Sequence, residues 1–293
     1  MKTNNAGRSI FQRTLKLVMN SFLLPLVFLL SCLKLSGQQI IVKIDSSSDK
    51  KNDFALVKNG FAADILLDSK DRETVQLATG LFSDDVERVT GQKPAVKFST
   101  NSISGICVIV GSIGESSTIK KLIKKKIINI SEIEGKWEAC LIQVVENPMK
   151  GVNKALVVAG SDRRGTAFGL MELSKQIGVS PWYYFADVPP AKRKEIVIES
   201  GRFIQKQPSV KYRGIFINDE MWGIRPWAMN TLAPGEGKGL GPTTYAKIFE
   251  LLLRLKANTL WPAMHQQTRP FNYYEENKVV ANKYGIIMGS SHR

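Results

Sequence analysis

Three stretches decide how this chain is read: Tyr212-Arg-Gly-Ile-Phe-Ile-Asn218-Asp219-Glu220, Asn258-Thr-Leu-Trp-Pro-Ala-Met-His265 and Gly285-Ile-Ile-Met-Gly-Ser-Ser-His292. Each is a short apolar run of strand-like composition that ends in residues able to do chemistry. Between the first two, residues 243–255 repeat Ile248, Leu251, Leu252 and Leu255 every three to four positions, the period of an amphipathic helix. Thr243 or Thr244 is the expected N-cap of that helix. A second helix is expected between the other two stretches. Strand, helix, strand, helix, strand is the rhythm of a parallel (β/α) barrel. In such barrels the chemistry sits where strands end.

Upstream, a mixed α/β pattern is expected over residues 54–200. Strands are read at 62–67, 95–98, 105–111, 138–146 and 154–160. A helix over 71–90 carries Val75, Ala78, Leu81, Phe82, Val86 and Val89 on one face and stops at Gly91. Two further helices are read at 119–126 and 164–177. Residues 201–209 read as a connection, so the barrel region is taken as 201–293. Residues 38–53 are polar and Ser- and Lys-rich, and read as a linker.

Apolar residues make up 43% of the chain, enough for a packed core. The formal charge of +15 would suit a polyanion partner, but Lys2, Arg8, Arg13, Lys16 and Lys34 precede Gln38 with no acid among them, which leaves about +10 for the remainder. The one dense cluster is Lys120-Lys121 with Lys124-Lys125-Lys126. It reads as a solvated helix end, with contact to an acidic polymer as the alternative. Residues 1–37 combine a basic start with an apolar run over about 15–33, the pattern of a secretory signal. Leu29-Leu30-Ser31-Cys32 also has the form of a bacterial lipoprotein cleavage box, which would make Cys32 a lipid anchor. A membrane span is the third reading, weakened by Asn20 and Pro25. Export to the periplasm or cell surface is the expectation. Cys107 and Cys140 lie in apolar runs and read as buried small hydrophobes, with a disulfide as the alternative. No Cys/His spacing points to zinc, so neither metal nor other cofactor is expected.

Asn218-Asp219-Glu220 is the strongest local site. Two carboxylates at a strand exit can hold a hydroxyl or a water, against the alternative of a simple cap. Trp222, Trp227 and Trp261 can stack on apolar sugar faces, against the alternative of packing. His265 and His292 each end a strand and can donate hydrogen bonds to a hydroxylated or acidic ligand. Gly160-Ser-Asp-Arg-Arg-Gly165 lies between a strand and a helix. Its Arg163 or Arg164 can hold a carboxylate, while an N-cap by Ser161 or Asp162 would explain the motif without any ligand. Gly111-Ser-Ile-Gly114 lacks the full spacing of a nucleotide-binding turn.

Taken together, Gly160–Thr166, Ile177-Gly-Val-Ser-Pro-Trp-Tyr183, Ala186-Asp-Val-Pro189, Arg213–Glu220, Leu253-Arg-Leu-Lys-Ala-Asn258, Trp261–His265 and Tyr284–His292 resemble glycoside hydrolase family 115, the xylan α-1,2-glucuronidases. The resemblance runs from near residue 38 to the last residue. It implies an N-terminal α/β domain followed by the first strands of a (β/α)8 TIM-type barrel, with helical and β-domains beyond. It implies hydrolysis of (4-O-methyl)glucuronic acid side chains from glucuronoxylan or xylo-oligosaccharides, with inversion. By the same resemblance Asp219 lies in the pocket, and Glu220, Trp261, His265 and His292 line or support it. Asp219 and Glu220 are the candidate catalytic carboxylates, with no proton-transfer role assigned to either. An inverting pair stands roughly 6.5–9.5 Å apart, so at least one partner is expected from a later strand. Relatives continue past the third strand. The chain is therefore expected to be a truncated portion that is inactive by itself, and the resemblance admits dimers for full-length relatives. Other readings are a non-catalytic carbohydrate-binding module, a hexosaminidase-like barrel, and a basic protein binding polyanions. The scattered charge and the export segment argue against a nucleic-acid partner.

Overall fold

The computed structural model describes residues 42–44, 52–103, 105–237, 239–262 and 268–289. The segment over 1–37, with Cys32, lies outside them. In chain order the elements are β1 (Val42–Ile44), β2 (Phe54–Lys58), β3 (Phe61–Ala62), β4 (Asp64–Leu67), α1 (Glu73–Thr90), β5 (Val96–Lys97), β6 (Gly105–Ser112), α2 (Ser117–Lys124), β7 (Cys140–Met149), β8 (Val152–Gly160) and α3 (Arg163–Gln176). They continue with β9 (Ile196–Ile198), β10 (Arg202–Gln205), β11 (Gly214–Ile217), α4 (Ile224–Trp227), α5 (Pro242–Arg254), β12 (Thr259–Pro262), α6 (Glu275–Tyr284) and β13 (Ile287–Met288). The fold is mixed α/β, as expected. Among the described residues no helix is long and apolar enough to cross a membrane.

A six-stranded sheet in the order β10-β7-β8-β6-β4-β5 forms the centre. Its β8, β6, β4 and β5 run parallel, whereas β7 and β10 are antiparallel to their neighbours. Strands β6 and β8 are nearly continuous apolar runs, because both faces of the sheet are covered. Val108, Val110, Leu156 and Val158 face one side and join Phe82 of α1 and Phe168 of α3 in a core cluster. The alternating Cys107, Ile109, Val157 and Ala159 face the other side with Ile119 and Leu122 of α2. Cys107 and Cys140 are buried free thiols, and burial pushes each up to about 12. Packing thus accounts for both, and no disulfide joins them.

Three local expectations are corrected. The linker expected over 38–53 contains β1, which pairs with β9 in a separate antiparallel sheet, β1-β9-β2-β3. The strand expected over 62–67 is split at Ala63, whose N–H donates to Leu56 O at 2.9 Å. That bond turns β3 back onto β2 while β4 enters the six-stranded sheet. The connection expected over 201–209 contains β10, which pairs with β7 over Arg202–Gln205.

The third sheet is parallel, in the order β11-β12-β13. Gly214 opens it for a steric reason: a Cβ there would lie 1.8 Å from Thr259 O. Helix α5 connects β11 to β12, and α6 connects β12 to β13. The cap of α5 is not a threonine. Gly241 holds the N-cap position with Pro242 at the first turn, and Glu236 Oε1 reaches across to accept from Thr243 N at 2.8 Å.

Buried charge ties this sheet and its helices to the remainder. Glu138 is fully buried and accepts from Arg164 Nε at 2.6 Å, Arg213 Nη2 at 2.6 Å and Asn258 Nδ2 at 2.7 Å. A second cluster joins α1 to α5: Arg254 donates to both oxygens of Asp85, at 2.6 and 3.1 Å, and to Glu250 at 2.9 Å. Tyr183 OH also donates to Glu250, at 2.8 Å.

Two outcomes follow. Glu138→Gln removes the charge that Arg164 and Arg213 share, and should lower unfolding free energy by about 2–4 kcal/mol; hydrogen exchange should speed up first in β11 and β12. Burial alone would raise the Glu250 pKa, but the charges of Arg254 and Lys247 and hydrogen bonds from Tyr183 and Arg254 outweigh it, holding the group below the usual 4.5. A carboxylate depressed in the folded state stabilises above its unfolded pKa and loses that contribution as pH falls through the folded value. Glu250→Gln should therefore lower Tm near pH 7. The Tm gap to wild type should narrow as pH drops below about 4.5; a gap that stays constant down to about pH 3 would rule out this assignment.

Candidate active site

The site begins where β11 ends. Registered partners Phe216 and Trp261 share one face of the parallel sheet. That face is open: both residues are 51% exposed, and their rings meet edge to face at 6.1 Å. On the opposite face Leu260 is fully buried in a cluster with Ile248, Phe249 and Leu252 of α5. The helices thus cover one side of the sheet and leave Phe216 and Trp261 facing outward. Gly289, after β13, borders this face; a Cβ there would lie 3.3 Å from Trp261 Cγ.

Immediately past β11 the chain turns through Asn218–Gly223, closed by Gly223 N donating to Glu220 O at 2.9 Å. The turn needs glycine at 223, because a Cβ would stand 2.8 Å from Asn218 O. It sends Asp219 inward, to 3% exposure, where the carboxylate accepts a short hydrogen bond from Thr268 Oγ1. Tyr245 of α5 is close enough to feel the Asp219 charge. Its phenol is made less acidic first by burial and then by the Asp219 charge, which keeps it a neutral hydroxyl. Glu220 is half-buried, and its Oε2 is buried with no hydrogen-bond partner among the described residues. Arg225, in α4, is 8% exposed; Nε contacts Met229 Sδ at 3.4 Å, and Nη1 has no partner among the described residues. The loop before α5 is pinned to the segment that carries Thr268. Tyr274 OH donates to Glu236 O at 2.8 Å, and Gly239 bridges Arg269.

The structure therefore brings Asp219 and Glu220 together at one strand end, with Trp261 on the open face of the adjoining strand. Trp222 is 82% exposed, in the turn itself. Trp227 takes the packing role, with ring contacts to Tyr184 and Phe185 at 6.3 and 5.7 Å. His265 and His292 lie outside the described residues. Among the described residues no group of His, Cys, Asp and Glu is placed to hold a metal ion.

Arg163 and Arg164 are used elsewhere. Asp162 caps α3 by accepting from Gly165 N at 2.7 Å. Arg163 donates to Asn282 O and Oδ1 at 3.2 and 3.0 Å. Arg164 pairs with Glu138 and donates to Gly285 O at 3.0 Å. Both arginines act as struts between α3 and the α6–β13 region. Arg163 lines a cleft of about 490 Å3 with Arg72, Glu115 and Asn282, and neither Asp219 nor Glu220 is among that cleft's lining residues. The turn after β6 is likewise engaged: Ser112 N and Oγ donate to Asp71 at 2.7 and 3.0 Å. Gly111 is there because a Cβ would stand 2.5 Å from Ser116 Cβ.

Thr268, Tyr245, Glu236 and Arg225 are site residues that sequence reasoning missed. Only Arg225 carried a local signal, as a lone charge in Trp222-Gly-Ile-Arg-Pro-Trp227.

Comparison with known proteins bears on the family. Residues 205–293 match the family model for glycosyl hydrolase family 115. A solved family-115 4-O-methyl-α-glucuronidase with specificity for decorated arabinogalactans is 42% identical and superposes with a TM-score of 0.70, covering 82% of this chain and 30% of that one. The chain thus spans about 30% of that relative's length. The Streptomyces plicatus N-acetyl-β-hexosaminidase is 12% identical at a TM-score of 0.46, covering 84% of this chain and 44% of that one. The β-N-acetylhexosaminidase from Streptomyces coelicolor A3(2) is 11% identical at 0.47, with the same coverage of 84% and 44%. Likeness as slight as these last two carries neither fold nor function. None of the curated proteins matches the chain. With its family-model match lying over the parallel sheet and a solved member at 42% identity across most of its length, the chain belongs to glycoside hydrolase family 115.

Proposed function

We propose that this chain supplies the opening part of the active site of an exported glycoside hydrolase that removes (4-O-methyl)glucuronic acid side groups from plant polysaccharide, foremost xylan, with inversion. The observation that carries the reading is the 42% identity to a 4-O-methyl-α-glucuronidase over 82% of this chain. The backbone bearing the uronic acid is xylan or arabinogalactan, since the solved relative is specific for decorated arabinogalactans. In this proposal β11, β12 and β13 are the first three strands of a (β/α)8 barrel. The barrel region then starts after β10, because Arg202–Gln205 belongs to the six-stranded sheet. Export rests on the basic and apolar pattern of residues 1–37.

Asp219 is assigned as one carboxylate of the site, oriented by Thr268. Glu220 follows it directly, and an inverting pair needs roughly 6.5–9.5 Å with water between base and sugar. The partner carboxylate is therefore assigned to another strand, and the chain by itself is expected to bind sugar without turnover. Trp261 and Phe216 offer apolar ring surface to a pyranose face. Arg225 is assigned to the sugar carboxylate. A buried guanidinium with an unpartnered Nη1 favours an incoming anion that can pair with it.

Calorimetric titration with 4-O-methylglucuronic acid tests the assignment. Asp219→Ala and Trp261→Ala should each weaken binding about tenfold, the effect of one good contact. Arg225→Met should erase the preference for glucuronic acid over glucose. Unchanged affinity and preference in all three variants would sink the site. Release of uronic acid from glucuronoxylan by the chain alone would show that the partner carboxylate is already present.

A further inference from the structure

A second cleft is lined by residues that flank the six-stranded sheet, and neither Asp219 nor Glu220 is among them. It encloses about 470 Å3 and is built from three separate elements. Helix α2 contributes Thr118, Lys121 and Leu122, spaced so that they share one helix face, and Lys125 follows at its C-cap. The turn at Thr100–Ser102 contributes Thr100 and Asn101, with Ile103 beneath. The end of β7 contributes Pro148 and Met149, and Lys150 begins the turn into β8. Ile103 and Leu122 are buried and form an apolar floor, while Lys121, Lys125 and Lys150 stand exposed around it. No acidic residue lines the cleft. Among the described residues none of Lys121, Lys125 and Lys150 has an ion-pair partner, nor do the neighbouring Lys120, Lys124 and Lys126.

Helix stabilisation accounts for part of this pattern. Lysines near a helix C-terminus complement its dipole, which covers Lys121, Lys124 and Lys125. It does not cover Lys150, which arrives from a β-turn and faces the same cleft. Nor does it explain why the ring of charge encloses an apolar concavity, since protein surfaces ordinarily mix both signs.

We infer that this cleft is a non-catalytic binding site for a carboxylate-bearing polysaccharide. Pyranose C–H faces would rest on Ile103, Leu122 and Met149, and carboxylates along the chain would meet the lysine ammonium groups as spaced point charges. Single-stranded nucleic acid fits less well, because it is held on aromatic stacking platforms and no aromatic residue lines this cleft. The choice of a uronic-acid glycan as occupant rests on the proposed function, whereas the site itself is separate from Asp219. It would hold the protein on the polymer whose side groups the other site recognises.

The test is titration of the whole chain with glucuronoxylan, with the same polymer after carboxyl reduction, and with a single-stranded oligonucleotide, at about 50 mM salt, where surface charges are weakly screened. Carboxyl reduction should weaken binding at least tenfold. So should the triple variant Lys121→Gln, Lys125→Gln, Lys150→Gln, while its Tm falls by only a few degrees, the helix-dipole share of Lys121 and Lys125. The triple variant should still bind the monosaccharide like wild type, because the strand-end site is untouched by it. The inference is overturned if the triple variant binds glucuronoxylan like wild type, if the reduced polymer binds equally well, or if the oligonucleotide binds more tightly than glucuronoxylan. Failure of the catalytic reading looks different: Asp219→Ala and Arg225→Met would then leave monosaccharide binding untouched while the lysine variant still loses the polymer.

Discussion

The carboxylate of Glu138 is the joint on which the parallel sheet depends. It sits just ahead of β7 with no exposed surface, in a left-handed backbone conformation with φ of 53°. Arg213 leads into β11, Asn258 leads into β12, and both donate to it. Arg164 donates to it as well and also binds Gly285 O, just ahead of β13. All three strands are thus tied at their amino ends to one buried charge. Asn258 tightens the knot by accepting from Arg213 N at 3.0 Å and donating to Lys211 O at 2.7 Å. The Glu138 carboxylate has no exposed surface, so its charge depends on these donors and not on water.

The clasp positions the site. With the amino ends fixed, each strand carries its carboxyl end away from Glu138 by roughly 3.3 Å per residue, and the turn at Asn218–Gly223 lies at that end of β11. The Arg254–Asp85–Glu250 cluster does for the helices what Glu138 does for the strands. It holds α5 against α1, so the helix that carries Tyr245 presents a fixed face to Asp219. Rigid support of this kind lets polar atoms at the strand ends stay buried without internal partners. Glu220 Oε2 and Arg225 Nη1 are such atoms, and each costs stability unless something else satisfies it. That cost is more readily understood at a ligand site than in a packing core.

In the proposed reading, the lysine cleft and the strand-end site divide recognition between two chemistries. The first offers diffuse positive charge over an apolar floor, suited to a polymer. The second offers one buried carboxylate, one buried guanidinium and exposed aromatic surface, suited to a single sugar. The same distinction separates the two kinds of basic residue in this chain. Arg163, Arg164, Arg213 and Arg254 are engaged in internal bonds, whereas the lysines of α2 are left to solvent.

The sequence by itself determined the periodic elements and the family. Helix α1 ends at Gly91 in the left-handed conformation, as its pattern implies. The apolar repeat of α5 and the three short runs of the parallel sheet formed where they were read, because helix and strand periodicity are local properties of a chain. Only the tertiary structure decided what the polar residues do. Arg163 and Arg164 look like ligand-binding residues beside a glycine turn, yet they bind Asn282, Glu138 and Gly285. Thr243 looks like a cap, yet Glu236 supplies it. Thr268 carries no pattern that announces its place beside Asp219. Short strands such as β1 and β10 escaped notice because two to four residues hold too little periodicity, and their pairing with β9 and β7 supplies what local sequence does not. Burying an apolar face needs only the right residue type at the right spacing. Satisfying a buried charge needs a particular partner in a particular place, and that partner is chosen by the fold.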